Sequence, residues 1–304
     1  MIIGLIGVTN TSINLIYNLI LAKTDVDFLL IDENFIKTNQ IIKELNLIIK
    51  QGGYKNKVFL EDYDSLEKAN ILIIDPAQNL VPGMSLVDLA LENSEKIYKI
   101  GYLVRHSNFN GIAFVLGYNN SILCKIFSFA SGLIGKKVFG IGPNLENMHA
   151  NLFVNDLNLN IAKDNEFLVL GDHGHSFLLD SNIEKNETTI DKISKIDDYV
   201  TQTNNEILEN LIRKTPHSRV LGLILSKILL DILNQRQNFH LLNCWVESFY
   251  NIRDDFFSLP VKIDIFGQVK TKDIKLTQAD REKLVKFIWE KNKLLDLTNK
   301  FLSQ

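Results

Sequence analysis

The stretch that decides the fold opens the chain: Ile2-Ile-Gly-Leu-Ile-Gly-Val-Thr-Asn-Thr-Ser12, then Ile13-Asn-Leu-Ile-Tyr-Asn-Leu-Ile-Leu-Ala22, then Phe28-Leu-Leu-Ile-Asp32. Ile2 to Ile6 is apolar without alternation, the pattern of a strand buried on both faces. The next segment places its apolar residues at helical spacing. Phe28 to Ile31 repeats the buried-strand pattern. Strand, helix and strand in about 30 residues make a βαβ unit with a right-handed crossover.

The alternation continues outward from there. The pattern predicts a helix over Phe35 to Lys50, strands over Lys57 to Leu60 and Ile71 to Ile74, and a helix over Leu86 to Ile100. A strand over Gly111 to Leu116, a helix over Ile122 to Ser131 and a strand over Lys137 to Gly140 complete it. The first half is therefore an α/β doubly wound parallel sheet. After Gly142 the order changes. We expect a helix over Leu145 to Leu157, a strand over Glu166 to Leu170 and a polar surface loop over Ser181 to Asp198. A helix over Thr201 to Arg213 follows, then one from Ser218, read as its cap, to Asn234. Cys244 to Tyr250 and Val261 to Phe266 fit a hairpin, and Thr277-Gln-Ala-Asp280 resembles a capping box before the last helix. The expected division is residues 1–140 and 141–304.

Composition narrows the function. The 304 residues are 46% hydrophobic and 23% charged, with a formal net charge of -3. No basic face marks a nucleic-acid binder. No apolar run reaches the ~20 residues of a spanning helix, and no signal peptide precedes the first strand, so a cytoplasmic protein without membrane contact is expected. Cys124 and Cys244 are too few for a disulfide framework and read as core residues.

Ligands on open α/β sheets bind at the carboxyl ends of the strands. The first such end is Gly7-Val-Thr-Asn-Thr-Ser12. A dinucleotide fingerprint has glycine at all of positions 7, 9 and 12; here Gly7 is kept, while Thr9 and Ser12 replace the others. Asp32 stands where a carboxylate accepts hydrogen bonds from an adenosine ribose, which favours NAD over NADP. Two readings of it stand: cofactor ligand, or cap of the next helix in a degenerate domain. The densest polar cluster is Gly171-Asp-His-Gly-His-Ser176, at a strand end. His173 there suits proton transfer in carbonyl–alcohol interconversion, and equally a loop histidine bonded to backbone. His173 and His175 lack further ligands at metal-site spacing, so no metal is expected.

With these motifs in hand, the chain resembles the lactate/malate dehydrogenase superfamily, in particular its lactate and 2-hydroxyisocaproate dehydrogenase branch. The landmarks are Ile3 to Asp32, Asp64-Ser-Leu-Glu-Lys-Ala-Asn-Ile-Leu-Ile-Ile74, Pro82-Gly83, Ser131-Gly132, Lys137-Val-Phe-Gly-Ile-Gly142, Leu145 and Gly171 to Ser176. The resemblance implies a Rossmann-type sheet followed by an α+β substrate domain. It also implies hydride transfer between NAD and a 2-hydroxy or 2-keto acid, and a homodimer or homotetramer.

The proton-donating histidine of that family falls on His173, and the acid that orients it falls on Glu146, one methylene longer than the family's aspartate. The arginine that grips the substrate carboxylate falls on His149, and the arginine of the closing loop falls on Leu86. The substrate-selecting loop position falls on Leu80, and the asparagine after the fourth strand falls on Tyr118. Imidazole cannot make a two-pronged carboxylate contact, and loss of one transition-state donor typically costs ~10²–10³ in rate. Arg219 is the candidate replacement, entering the pocket with His149 to bind an anionic ligand, or pointing to solvent. Two functions follow: a 2-hydroxyacid dehydrogenase with an atypical pocket, or an inactive paralogue that binds a ligand or acts as a regulatory or structural partner. A lactate or malate specialist fits neither.

Overall fold

The computed structural model describes residues 1–76, 81, 83–159, 166–182, 190–212 and 217–303. The strands are β1 Ile2–Ile6, β2 Asp27–Ile31, β3 Val58–Leu60, β4 Ile71–Ile74, β5 Ile112–Val115 and β6 Val138–Gly140, then β7 Val169–Asp172, β8 His175–Leu178, β9 His240–Phe249, β10 Ile252–Ile263 and β11 Val269–Thr271. The helices are α1 Asn10–Leu21, α2 Phe35–Gly52, α3 Leu86–His106, α4 Asn120–Ser131, α5 Asn144–Asp156, α6 Ile190–Ile212, α7 Ser218–Leu233 and α8 Gln278–Leu302.

Nine strands form one sheet in the order β11-β10-β9-β6-β5-β4-β1-β2-β3. The six from β3 to β6 run parallel, the 3-2-1-4-5-6 order of a doubly wound nucleotide-type sheet. The expected α/β class is present. The β9–β10 hairpin continues the same sheet antiparallel, joined at Gly140 opposite Asn243. It is longer than the two short strands expected from the sequence.

Side-chain alternation explains why β1, β4 and β5 are apolar throughout. Ile3, Leu5, Ile71, Ile73, Ile112 and Phe114 pack into one core with α1 and α7. Leu72, Ile74, Ala113 and Val115 pack into a second core with α3, α4 and α8. The sheet is thus covered on both faces.

Three local expectations need correction. Residues 190–198 are not a loop: α6 begins at Ile190, and 183–189 lie outside the described residues. Its inward positions, Ile196, Val200, Thr203 and Ile207, are spaced three and four apart and buried, a stripe thin enough to read as polar sequence. Ser218 does not cap α7; the cap position is His217, which makes no side-chain capping bond. The strand expected at 166–170 instead runs from Val169 to Asp172, because its pairing is set by a hairpin with β8. The capping box of α8 does form, with Thr277 and Asp280 bonding each other's backbone N–H groups. Among the described residues no helix is long and apolar enough to cross a membrane.

Candidate functional site

A cleft of about 450 Å³ runs along the carboxyl ends of the parallel strands. Val8, Thr9, Asp32 and Lys37 line one part of it; His173, Ile207, His217 and Leu221 line another, with Asp75, Asn93, Lys96, Gly117 and Tyr118 also on the wall.

His173 lies in the turn between β7 and β8. Gly174 follows at φ +77°, where a Cβ would meet the Tyr118 ring at 2.9 Å, so glycine is required. The ring is 7% exposed, and its Nδ1 lies 3.0 Å from Oε1 of Glu146. Glu146 is fully buried in the first turn of α5, where the helix dipole favours an anion. The same oxygen accepts the Gly174 N–H at 2.5 Å, so one carboxylate holds both ring and turn. Burial opposes charge on His173, but Glu146, with Asp172 further off, outweighs it and raises the imidazole pKa.

Asp172, beside it, accepts from the Ser121 N–H and hydroxyl and from Asn243 Nδ2. Asn119, the cap residue of α4, makes no side-chain capping bond. Asp172 therefore supplies from a distant segment the carboxylate that the helix start lacks locally.

His217 was not foreseen. It lines the cleft and pairs with Asn210 at 2.8 Å. Burial, then His149 and His173, lower its pKa. The signal was its position two residues before Arg219, at a helix start. His149 does not line the cleft; its ring centroid lies 6.5 Å from that of His217. Arg219 is exposed on α7 and does not line the cleft either, while Ser218 and Leu221 do. Leu86 begins α3 and lines a separate depression with His175, Trp289 and Glu290. Tyr118 lines both hollows, and burial raises its pKa. Leu80 lies outside the described residues. His175 pairs with Glu290 at 2.7 Å rather than with His173, and among the described residues no group of three metal-ligating side chains converges. Both cysteines are buried, and burial pushes the Cys244 thiol up to about 12.

At the glycine-loop end, Gly7 sits at φ +88°, and a Cβ there would lie 2.1 Å from the Asp75 carbonyl oxygen. Ser12 is buried, and its hydroxyl lies within hydrogen-bond reach of the Gly7 carbonyl. Asp32 accepts the Val8 N–H at 2.7 Å and the Asn34 N–H at 2.8 Å; the cap of α2 is Asn34 itself. A carboxylate has about four acceptor positions, so Asp32 keeps capacity for a ligand. Asn93 is 2% exposed on the cleft wall, and its Oδ1 has no protein partner. A donor on a bound molecule would satisfy it.

The residues present thus fit a dinucleotide at the ribose acid, at the Asn93 acceptor and in the continuity from Asp32 to His173. The departure is at Thr9 and Asp75, between those parts.

Comparison with known proteins agrees with this geometry. The chain is 24% identical to L-lactate dehydrogenase 2 of Enterococcus faecalis over 296 residues, 92% of each chain. Its fold matches the malate dehydrogenase of Picrophilus torridus with a TM-score of 0.84 at 19% identity, covering 99% of this chain and 98% of that one. These likenesses mark a divergent member of the lactate/malate dehydrogenase superfamily. Another match in that superfamily is the lactate dehydrogenase of Cryptosporidium parvum, solved with lactic acid and β-nicotinamide adenine dinucleotide. It has a TM-score of 0.82 at 17% identity and 98% coverage of both chains. No protein-family model matches the chain.

Proposed function

We propose that the protein is an NAD-dependent oxidoreductase interconverting 2-oxo and 2-hydroxy acids, with a pocket suited to an apolar substrate side chain. The observation that carries this reading is His173, held by buried Glu146 on the wall of the cleft that also contains Asp32. When bound, NAD supplies the hydride acceptor or donor. Asp32 holds the adenosine ribose hydroxyls, and Asn93 Oδ1 accepts one ligand hydrogen bond. Glu146 fixes the proton on Nδ1 of His173, leaving Nε2 to give a proton to the substrate oxygen or take one from it. Leu116, Ile141, Ile207, Leu211 and Leu221 supply an apolar wall. With neither arginine of the family present, the substrate carboxylate meets imidazole on the wall at His217, which makes at best a single-pronged contact. Residues 1–140 serve the cofactor and 141–304 the substrate, in a cytoplasmic homodimer or homotetramer.

The test is NADH oxidation across a panel of aliphatic 2-oxo acids. Turnover that vanishes in His173→Asn, with NADH binding kept, supports the reading; no turnover with any member of the panel ends it. The second reading, a ligand-binding paralogue without turnover, is favoured by Leu86, which is apolar and lies outside the cleft. Binding of NADH or a 2-oxo acid without oxidation selects it.

A further inference from the structure

The start of α1 is closed on itself. Thr9 Oγ1 accepts the N–H groups of Thr11 at 3.2 Å and Ser12 at 3.3 Å and donates to Asp75 Oδ2 at 2.7 Å. Ser12 Oγ accepts the Thr9 N–H at 2.7 Å. The N–H groups of Gly7 and Val8 go to the Ile31 carbonyl and to Asp32. A helix start recruits a diphosphate through unpaired N–H groups and a positive dipole end. Here the N–H groups of residues 7, 8, 9, 11 and 12 are all engaged by the protein, and a carboxylate is tied to the cap. Thr9 and Asp75 both face the cleft.

We propose that Thr9 and Asp75 form a clasp that discriminates against a diphosphate at the start of α1 and so sets the affinity for dinucleotides low. The inference rests on the reading that a dinucleotide occupies this cleft. To seat a diphosphate there, Thr9 must release two N–H groups and the anion must sit beside Asp75. Lys37 and Lys96, both on the cleft wall, are the available counter-charges. A molecule that offers only a nucleoside to Asp32 meets no such barrier.

The experiment is fluorescence titration of NADH, with adenosine binding by calorimetry as the control, on the wild type, Asp75→Asn and Thr9→Gly. Asp75→Asn keeps the size of the side chain and an acceptor for Thr9 while removing the charge. We expect NADH affinity to rise about tenfold or more in Asp75→Asn, with adenosine affinity unchanged. Thr9→Gly should gain in the same direction, and circular dichroism verifies that each variant is folded. Equal NADH affinity in wild type and Asp75→Asn overturns the clasp, as does a gain for adenosine as large as that for NADH. NADH bound by the wild type with no effect of either substitution ends the clasp and leaves the NAD-dependent reading standing. NADH bound by Asp75→Asn alone supports the clasp and ends that reading for the native protein.

Discussion

The carboxylate of Asp172 accepts the backbone N–H of Ser121 at 3.1 Å and its hydroxyl at 2.6 Å, tying the end of β7 to the first turn of α4 across 51 residues. Asn243 of β9 joins the same carboxylate and also bonds Asn120. The site is fixed to the sheet through this buried network, because His173 is the next residue after Asp172. Asp172→Ala strands several buried donors at once. We expect a loss of about 3 kcal/mol, read as a lower urea midpoint at unchanged slope. An unchanged midpoint would show that the network contributes nothing.

The raised pKa of His173 has a definite sign. Glu146 favours the charged ring in the folded protein. The folded pKa lies above the unfolded one, so the stabilisation is complete below the ordinary histidine value and is lost as pH rises through the folded value. In Glu146→Gln the imidazole should titrate lower, and the stability gained between neutral and mildly acid pH should shrink. Proton NMR of the His173 ring measures the first effect and urea unfolding against pH the second. A His173 titration identical in the two proteins contradicts the assignment.

Lys291 is 5% exposed, and its Nζ bonds Asp255 Oδ2 at 2.8 Å and the Phe256 carbonyl at 2.5 Å. Burial raises the Asp255 pKa, and Lys291 followed by Lys125 outweighs it, so the carboxyl lies lower than usual. That stabilisation is present above the ordinary carboxylate range and lost as pH falls through the folded value. Lys291→Met alone should cost about 3–5 kcal/mol, since it leaves a half-buried carboxylate short of its main partner. Lys291→Met with Asp255→Asn should cost distinctly less. Thermal unfolding of the two variants compares them directly, and equal losses refute the pairing.

Gly174 at φ +77° is the hinge of the β7–β8 turn. Gly174→Ala adds strain of about 1–3 kcal/mol and pushes on the Tyr118 ring. The melting temperature should fall, and the His173 resonance should move with it; an alanine variant with native values for both would contradict this.

His217→Leu should weaken binding of a small 2-oxo acid by about tenfold, the value of one charge-assisted hydrogen bond. Arg219→Ala, altering an exposed side chain off the cleft, should leave it unchanged. Calorimetry on the two variants ranks the contacts, and the reverse order would return the anion contact to Arg219.

The sequence by itself determined the doubly wound sheet, because unbroken apolar strands and helix-period segments are short-range patterns. Ile2 to Ile6 and Phe28 to Ile31 were legible for that reason, as were Gly7, Asp32 and the Thr277–Asp280 box. The His173–Glu146 pair was legible only through family likeness, since 27 residues separate its members. Tertiary structure alone decided the rest. It set Asp172 as the cap of α4, put His217 rather than Arg219 on the cleft wall, and extended α6 into a segment whose apolar stripe is too sparse to stand out. It also joined Thr9 to Asp75. Each of these depends on where a chain that has already turned brings a side chain, and hydrogen bonds across 51 or 66 residues leave no mark on local spacing.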